Sequence, residues 1–242
     1  MAGNSADRQA TEEAPALDIF TDELLAALAR QGCPICRVVT DSVHRWIDSF
    51  WREGRNDRDT RRTFFAAGGF CHDHALALET LAQGTRGRAA IADVYRWLAS
   101  RDIALLDASV HPAPGRRLRR RKPQMARARE CPACVEREQT TERKLAFLTD
   151  ILHDERGRRR YESSSGLCVP HLLRAVAQTA ENEPAVSCFL AADGRRRLVE
   201  LRVGLDEFDR KRESRFRDEP KGQEQQAPSD AIARYAGGAE ET

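Results

Sequence analysis

Two short cysteine motifs recur in this chain in the same order, and they constrain it more than any other feature. CPIC at 33–36 returns as CPAC at 131–134, and GFCHDH at 69–74 returns as GLCVPH at 166–171. Six of the seven cysteines fall into these two triplets, and each triplet ends in a histidine three positions after its last cysteine. Repetition at a fixed period is the mark of an internally duplicated architecture. A repeated set of three sulfurs and one imidazole is the donor set of a tetrahedral Zn²⁺ site.

The segments between the motifs repeat in kind. Val43, Ile47, Phe50 and Trp51 mark one helical face after the first pair, and Leu145, Leu148 and Leu152 do so after the second. Each copy continues into an Arg-rich stretch, REGRNDRDTRR or DERGRRRYESSS, and then a glycine turn at Gly68-Gly69 or Gly166. A helix follows in each, CHDHALALETLA or CVPHLLRAVAQTA. A closing helix is spaced by Ile91, Val94, Tyr95, Leu98 and Leu105 in one copy, and by Leu198, Leu201, Leu205 and Phe208 in the other. Pro184 suits the first turn of that last helix.

Each C-P-x-C pair is expected at a helix N-terminus, where backbone amides favour thiolate over thiol. The helix after it carries the chain roughly 27 Å away at 1.5 Å per residue. The next stretch is long enough to bring the chain back. Cys71 and His74, like Cys168 and His171, are spaced i and i+3 and share a helix face. The expected sites therefore lie within each copy: Cys33, Cys36, Cys71 and His74 in the first, and Cys131, Cys134, Cys168 and His171 in the second. A rival arrangement would put both C-P-x-C pairs on one ion and both C-x-x-H pairs on another.

The copies also choose among histidines. His72 stands opposite Val169 and Asp73 opposite Pro170, whereas His74 has His171 as its counterpart. His72 and Asp73 are read as surface residues, and His44 and His153 as satisfied or solvated side chains. Cys188 has no counterpart and lies among apolar residues, so it reads as a buried structural thiol. CPIC is not a haem anchor, which needs His directly after the second Cys. Nor does it sit in a βαβ pattern, as a thioredoxin-type pair would. Four protein ligands leave no open position, the arrangement of a structural zinc. Such an ion can supply much of a small module's folding free energy. An iron–sulfur cluster is the alternative occupant of three Cys and one His.

Composition agrees with an all-α protein. Aromatic residues are 6% and charged residues 32%, in a mixture of Ala, Leu, Arg and Glu that favours helices. The expected organisation is a disordered tail over 1–16, a first Cys3His helical module over 17–110 that includes a lead-in helix near 17–31, and a basic, Pro-containing linker over 111–130. A second Cys3His module then spans 131–217, followed by a flexible tail over 218–242 with a short helix at AIARYA. The N-terminus lacks the apolar core of a signal peptide, and no apolar run reaches the roughly 20 residues of a membrane helix. Cytoplasmic location follows as an expectation, with no membrane partner. In that compartment thiols stay reduced, so a disulfide framework is not expected.

The C-P-x-C…G-[FL]-C-x-x-H arrangement, with FDRKRESRFRDEPKG at 208–222, resembles an uncharacterised bacterial family of domains of unknown function. The resemblance covers about 30–222. It implies a cytosolic bacterial protein with paired Cys/His sites at the eight residues named above, and no activity. The basic linker departs from the family pattern.

The leading functional expectation is a non-enzymatic, zinc-binding helical scaffold or adaptor with two Zn²⁺ ions and a protein partner. The chain has no Gly-rich phosphate loop, no G-x-S-x-G and no H-E-x-x-H. The first alternative is nucleic-acid binding through Arg116, Arg117, Arg119, Arg120, Arg121 and Lys122, whose charges can neutralise phosphates. No aromatic residue interleaves that run, so base stacking has no support. Overall charge does not decide the matter, since 40 basic residues nearly cancel 38 acidic ones. The second alternative is an iron–sulfur or thiol redox protein.

Overall fold

The computed structural model describes residues 19–110, 130–216 and 218–237. These residues form an all-α protein with ten α-helices and no strand among them. The 1–16 tail, and the basic run at 116–122 with its six candidate phosphate contacts, lie outside the described residues. Among the described residues, no helix is long and apolar enough to cross a membrane.

The first half supplies α1 (Ile19–Leu28), α2 (Pro34–Arg52), α3 (Arg58–Ala67), α4 (His72–Leu81) and α5 (Thr85–Val110). The second supplies α6 (Pro132–His153), α7 (Glu155–Ser163), α8 (Val169–Thr179) and α9 (Pro184–Arg210), and α10 (Ala227–Ala236) follows. Pro34, Pro132 and Pro184 each open a helix, where a missing N–H costs no intrahelical bond. The Arg-rich stretches become helices because an aspartate caps each one. Asp57 accepts from the Thr60 N–H at 2.8 Å, and Asp154 accepts from the Gly157 N–H at 3.2 Å. Their inner faces bury Phe64 and Phe65 on α3 and Tyr161 on α7.

The core is shared between the halves. Val38, Val43 and Ile47 of α2 pack in one apolar cluster with Leu145, Leu148 and Leu152 of α6, and α2 against α6 is the most extensive helix pair. Leu24 and Leu28 of α1 and Val186 and Leu190 of α9 join the same cluster. A smaller cluster of Phe50, Phe64, Phe65 and Leu98 closes the far end of α2. A half-buried ion pair, the buried Lys144 to the partly exposed Glu23 at 3.1 Å, ties α6 to α1. The segments 17–110 and 131–217 are therefore not separately cored modules.

Several local expectations change. On α5, Leu98 is buried, but Tyr95 and Leu105 are exposed. Cys188 is exposed, because α9 turns Val186 and Leu190 inward and leaves position 188 on the opposite face. Residues 218–237 are not a loose tail. Ala227 is buried, Lys211 pairs with Glu224 at 3.1 Å, and α10 packs on α8 and α9.

Candidate metal centre

All eight predicted ligands converge, but in exchanged sets. Cys33, Cys36, Cys168 and His171 form site A, and Cys71, His74, Cys131 and Cys134 form site B. Each site joins the C-P-x-C of one half to the C-x-x-H of the other. The within-copy grouping is corrected, and the rival grouping by like motifs is not formed either.

The reason lies in α3. Returning to the start of the 19-residue α2 requires about 28 Å. The ten residues of α3 are coiled as helix and span only about 15 Å. Phe64, tilted, and Phe70, edge-on, also pack against Phe50 near the end of α2, at 5.1 Å each between ring centroids. The chain thus stays at the far end of α2, where the start of α6 meets it.

The two motifs are one device. Cys33, Cys71, Cys131 and Cys168 are each the N-cap residue of a helix. Cys36, His74, Cys134 and His171 are each three positions further on. Each site is thus two helix N-termini facing each other, with donors at the cap and the third helical position. First-turn N–H groups and the positive dipole end favour the negative charge of thiolates there.

The donor atoms are spaced for a single ion. With metal–sulfur bonds of about 2.3 Å and metal–nitrogen bonds of about 2.0–2.1 Å, a tetrahedral centre holds S and S about 3.8 Å apart, and S and N about 3.5 Å apart. In site A, Cys36 Sγ lies 3.7 Å from Cys168 Sγ. His171 Nδ1 lies 3.5, 3.3 and 3.2 Å from Cys33, Cys36 and Cys168 Sγ. In site B, Cys71 Sγ lies 3.7 Å from Cys134 Sγ, and His74 Nδ1 lies 3.2, 3.6 and 3.5 Å from Cys71, Cys131 and Cys134 Sγ. In each set all four donor atoms lie within 4.8 Å of one another. The donor set and its spacing both fit a tetrahedral metal ion.

The metal-free electrostatics differ between the sites. The thiols of Cys168 and Cys36 hydrogen-bond to Cys33 and hold it far below the usual thiol range. Burial pulls His171 down, but Cys168 and Cys33 outweigh it and raise the imidazole to about 9. In site B, burial and then nearby Arg137 push His74 down. Burial, reinforced by Cys71, pushes Cys134 up to about 12. Metal ligation needs thiolates and neutral imidazoles, so a cation binding at either site would release the protons those side chains carry.

The loop before Cys168 is held on every side. Gly166 has φ +70°, and a Cβ there would lie 2.8 Å from Arg197 Nε, so only glycine fits. Arg197 donates to the Ser164 carbonyl at 2.8 Å, and Asp193 accepts from it at 2.6 Å. Gly32, next to Cys33, donates to Ser165 Oγ at 3.0 Å and stitches the two halves together beside the ligands. Arg234 of α10 donates to the Leu167 carbonyl at 2.8 Å. Arg101 plays a similar part near site B, donating to the Phe65 carbonyl. Arg197, Ser165 and Arg234 lie outside the repeated Cys/His motifs. The only sequence signal was the Ser/Gly run before Cys168. His72 and Asp73 are exposed and outside both sets, and His44 and His153 are exposed on their helices.

No curated protein and no solved structure matches the chain. A family model does, over residues 26–242, which takes in both halves and all eight ligands. A single family unit thus holds both exchanged sites, and the chain belongs to the family of unknown function DUF6062.

Proposed function

We propose that this protein is a non-enzymatic helical scaffold that holds one structural zinc ion in each Cys3His centre and acts by binding another protein. The observation carrying this reading is the closure of both centres. Four protein donors at tetrahedral spacing leave no coordination position for a substrate or an activated water. A cluster of several iron atoms would stand between its ligands and spread them, whereas these donors lie within 4.8 Å of one another. That spacing favours a single ion. Six thiolate ligands also suit a reducing cytoplasm. Elemental analysis of anaerobically purified protein tests the reading. Two zinc ions per chain and no visible absorbance are expected, and stoichiometric iron with a coloured product would overturn it.

A further inference from the structure

An apolar groove of about 560 Å³ runs between α8, α9 and the end of α10. Leu173, Val176, Leu198, Val199, Leu205 and Tyr235 line it. Leu173 is 64% exposed, Val199 38% and Tyr235 59%, so the groove is open along its length. Contiguous exposed apolar surface of this kind marks an interaction site.

Its border is charged on one side. Arg195 and Arg202 stand two turns apart on α9 and line the same groove. Neither forms an ion pair among the described residues, although Arg196 and Arg197 beside them are both paired with Asp193. The groove thus offers an apolar floor with two uncompensated guanidinium groups at its edge. From Arg195 to Leu205 it follows about 15 Å of helix, the rise of nearly three turns.

We propose that this groove docks an amphipathic helix of a partner protein that carries acidic residues beside its apolar stripe. The proposal rests on the scaffold reading above and gives the partner its chemistry. Three turns of groove match anchors at i, i+3 or i+4, and i+7, the pattern of helix-in-groove recognition. The two arginines select carboxylates and fix the register of the incoming helix. A small amphiphile fits less well, since a ligand pocket encloses most of its ligand and this groove leaves one side in water. The groove also depends on site A. Cys168 and His171 fix the start of α8, and Leu173 follows within the same turn.

The test uses the full chain, with its metal content measured on the same sample. The probes are two labelled synthetic helical peptides that share one leucine stripe, flanked by glutamate in one and by lysine in the other. Fluorescence anisotropy should show the glutamate peptide binding roughly tenfold more tightly than the lysine peptide, as charge complementarity requires. The Arg195→Glu/Arg202→Glu variant should reverse that order, and Val199→Asp should abolish binding of the glutamate peptide. All three positions are exposed, so circular dichroism should be unchanged. Equal binding of the two peptides, or a preference that survives the charge reversal, would overturn the proposal. Arg195- and Arg202-dependent binding of dodecanoate without binding of the glutamate peptide would also overturn it, in favour of a small amphiphile. Full metal content with no peptide binding defeats the groove alone. Peptide binding by protein that carries no metal defeats the structural-metal reading alone.

Discussion

Cys36 Sγ and Cys168 Sγ lie 3.7 Å apart across 132 positions of sequence. Each belongs to a motif whose own repeat partner sits at the other site. The two Cys/His clusters therefore bridge the two halves of the chain, where within-copy clusters would have closed each half on itself.

Replacing Cys71 by Ser removes one ligand of site B with little change of volume. Metal content should fall from about two ions per chain to about one, as expected for closed four-ligand sites. Hydrogen exchange should rise around 131–137 at the start of α6, while 33–39 stays protected. Increased exchange at 33–39 together with an undisturbed α6 would contradict the exchanged pairing.

Ile47 on α2 and Leu148 on α6 are both essentially inaccessible and share one core. Ile47→Ala and Leu148→Ala should each cost about 2–5 kcal/mol of stability. Because the core is common, each should lower a single melting transition of the whole chain. Two separate transitions, with each substitution moving only its own half, would show independent modules.

Gly237, at the end of α10, is at φ +72°, and a Cβ there would lie 3.1 Å from Cys36 Sγ and 3.4 Å from Cys168 Sγ. Gly237→Ala should combine backbone strain of about 1–3 kcal/mol with crowding of site A. Release of metal to a chromogenic chelator should then speed up for one of the two ions only. Identical release kinetics in variant and parent would show that α10 does not press on the site.

Glu224 accepts from the Gly222 N–H at 2.7 Å and pairs with Lys211 at 3.1 Å. The backbone N–H of Gly222 is the main cause that holds its carboxyl down at about 2, against 4.5 when unperturbed. A depressed carboxyl stabilises the fold above its unfolded value and loses that contribution as pH falls through its folded value. The anchoring of α10 should therefore be complete above about pH 4.5 and fade toward pH 2. Hydrogen exchange of residues 227–237, compared with the Glu224→Gln variant over that range, measures it. Equal acid sensitivity of parent and variant would place the titrating group elsewhere.

The sequence by itself determined the helical class, the helix starts at Pro34, Pro132 and Pro184, and the eight Cys and His residues that gather in two clusters. These features are local. Proline and cap chemistry act within one turn, and a duplicated cysteine spacing needs no knowledge of distant packing. The choice of His74 over His72 was legible for the same reason, since it rested on comparing two short motifs.

Only the tertiary structure decided which of the eight side chains come together. The within-copy, like-motif and exchanged groupings all satisfy the same i, i+3 rule at every helix start, so spacing cannot separate them. The decision falls to α3, whose coiled length does not reach back to Cys33, and to the α2–α6 contact, which buries Val43 and Ile47 against Leu145 and Leu148. The placement of α10 on site A was equally non-local. Arg234 reaches the Leu167 carbonyl across 67 positions, and Gly237 is tolerated beside two sulfurs because it has no Cβ. Such contacts come from surfaces that meet only once the shared core has formed.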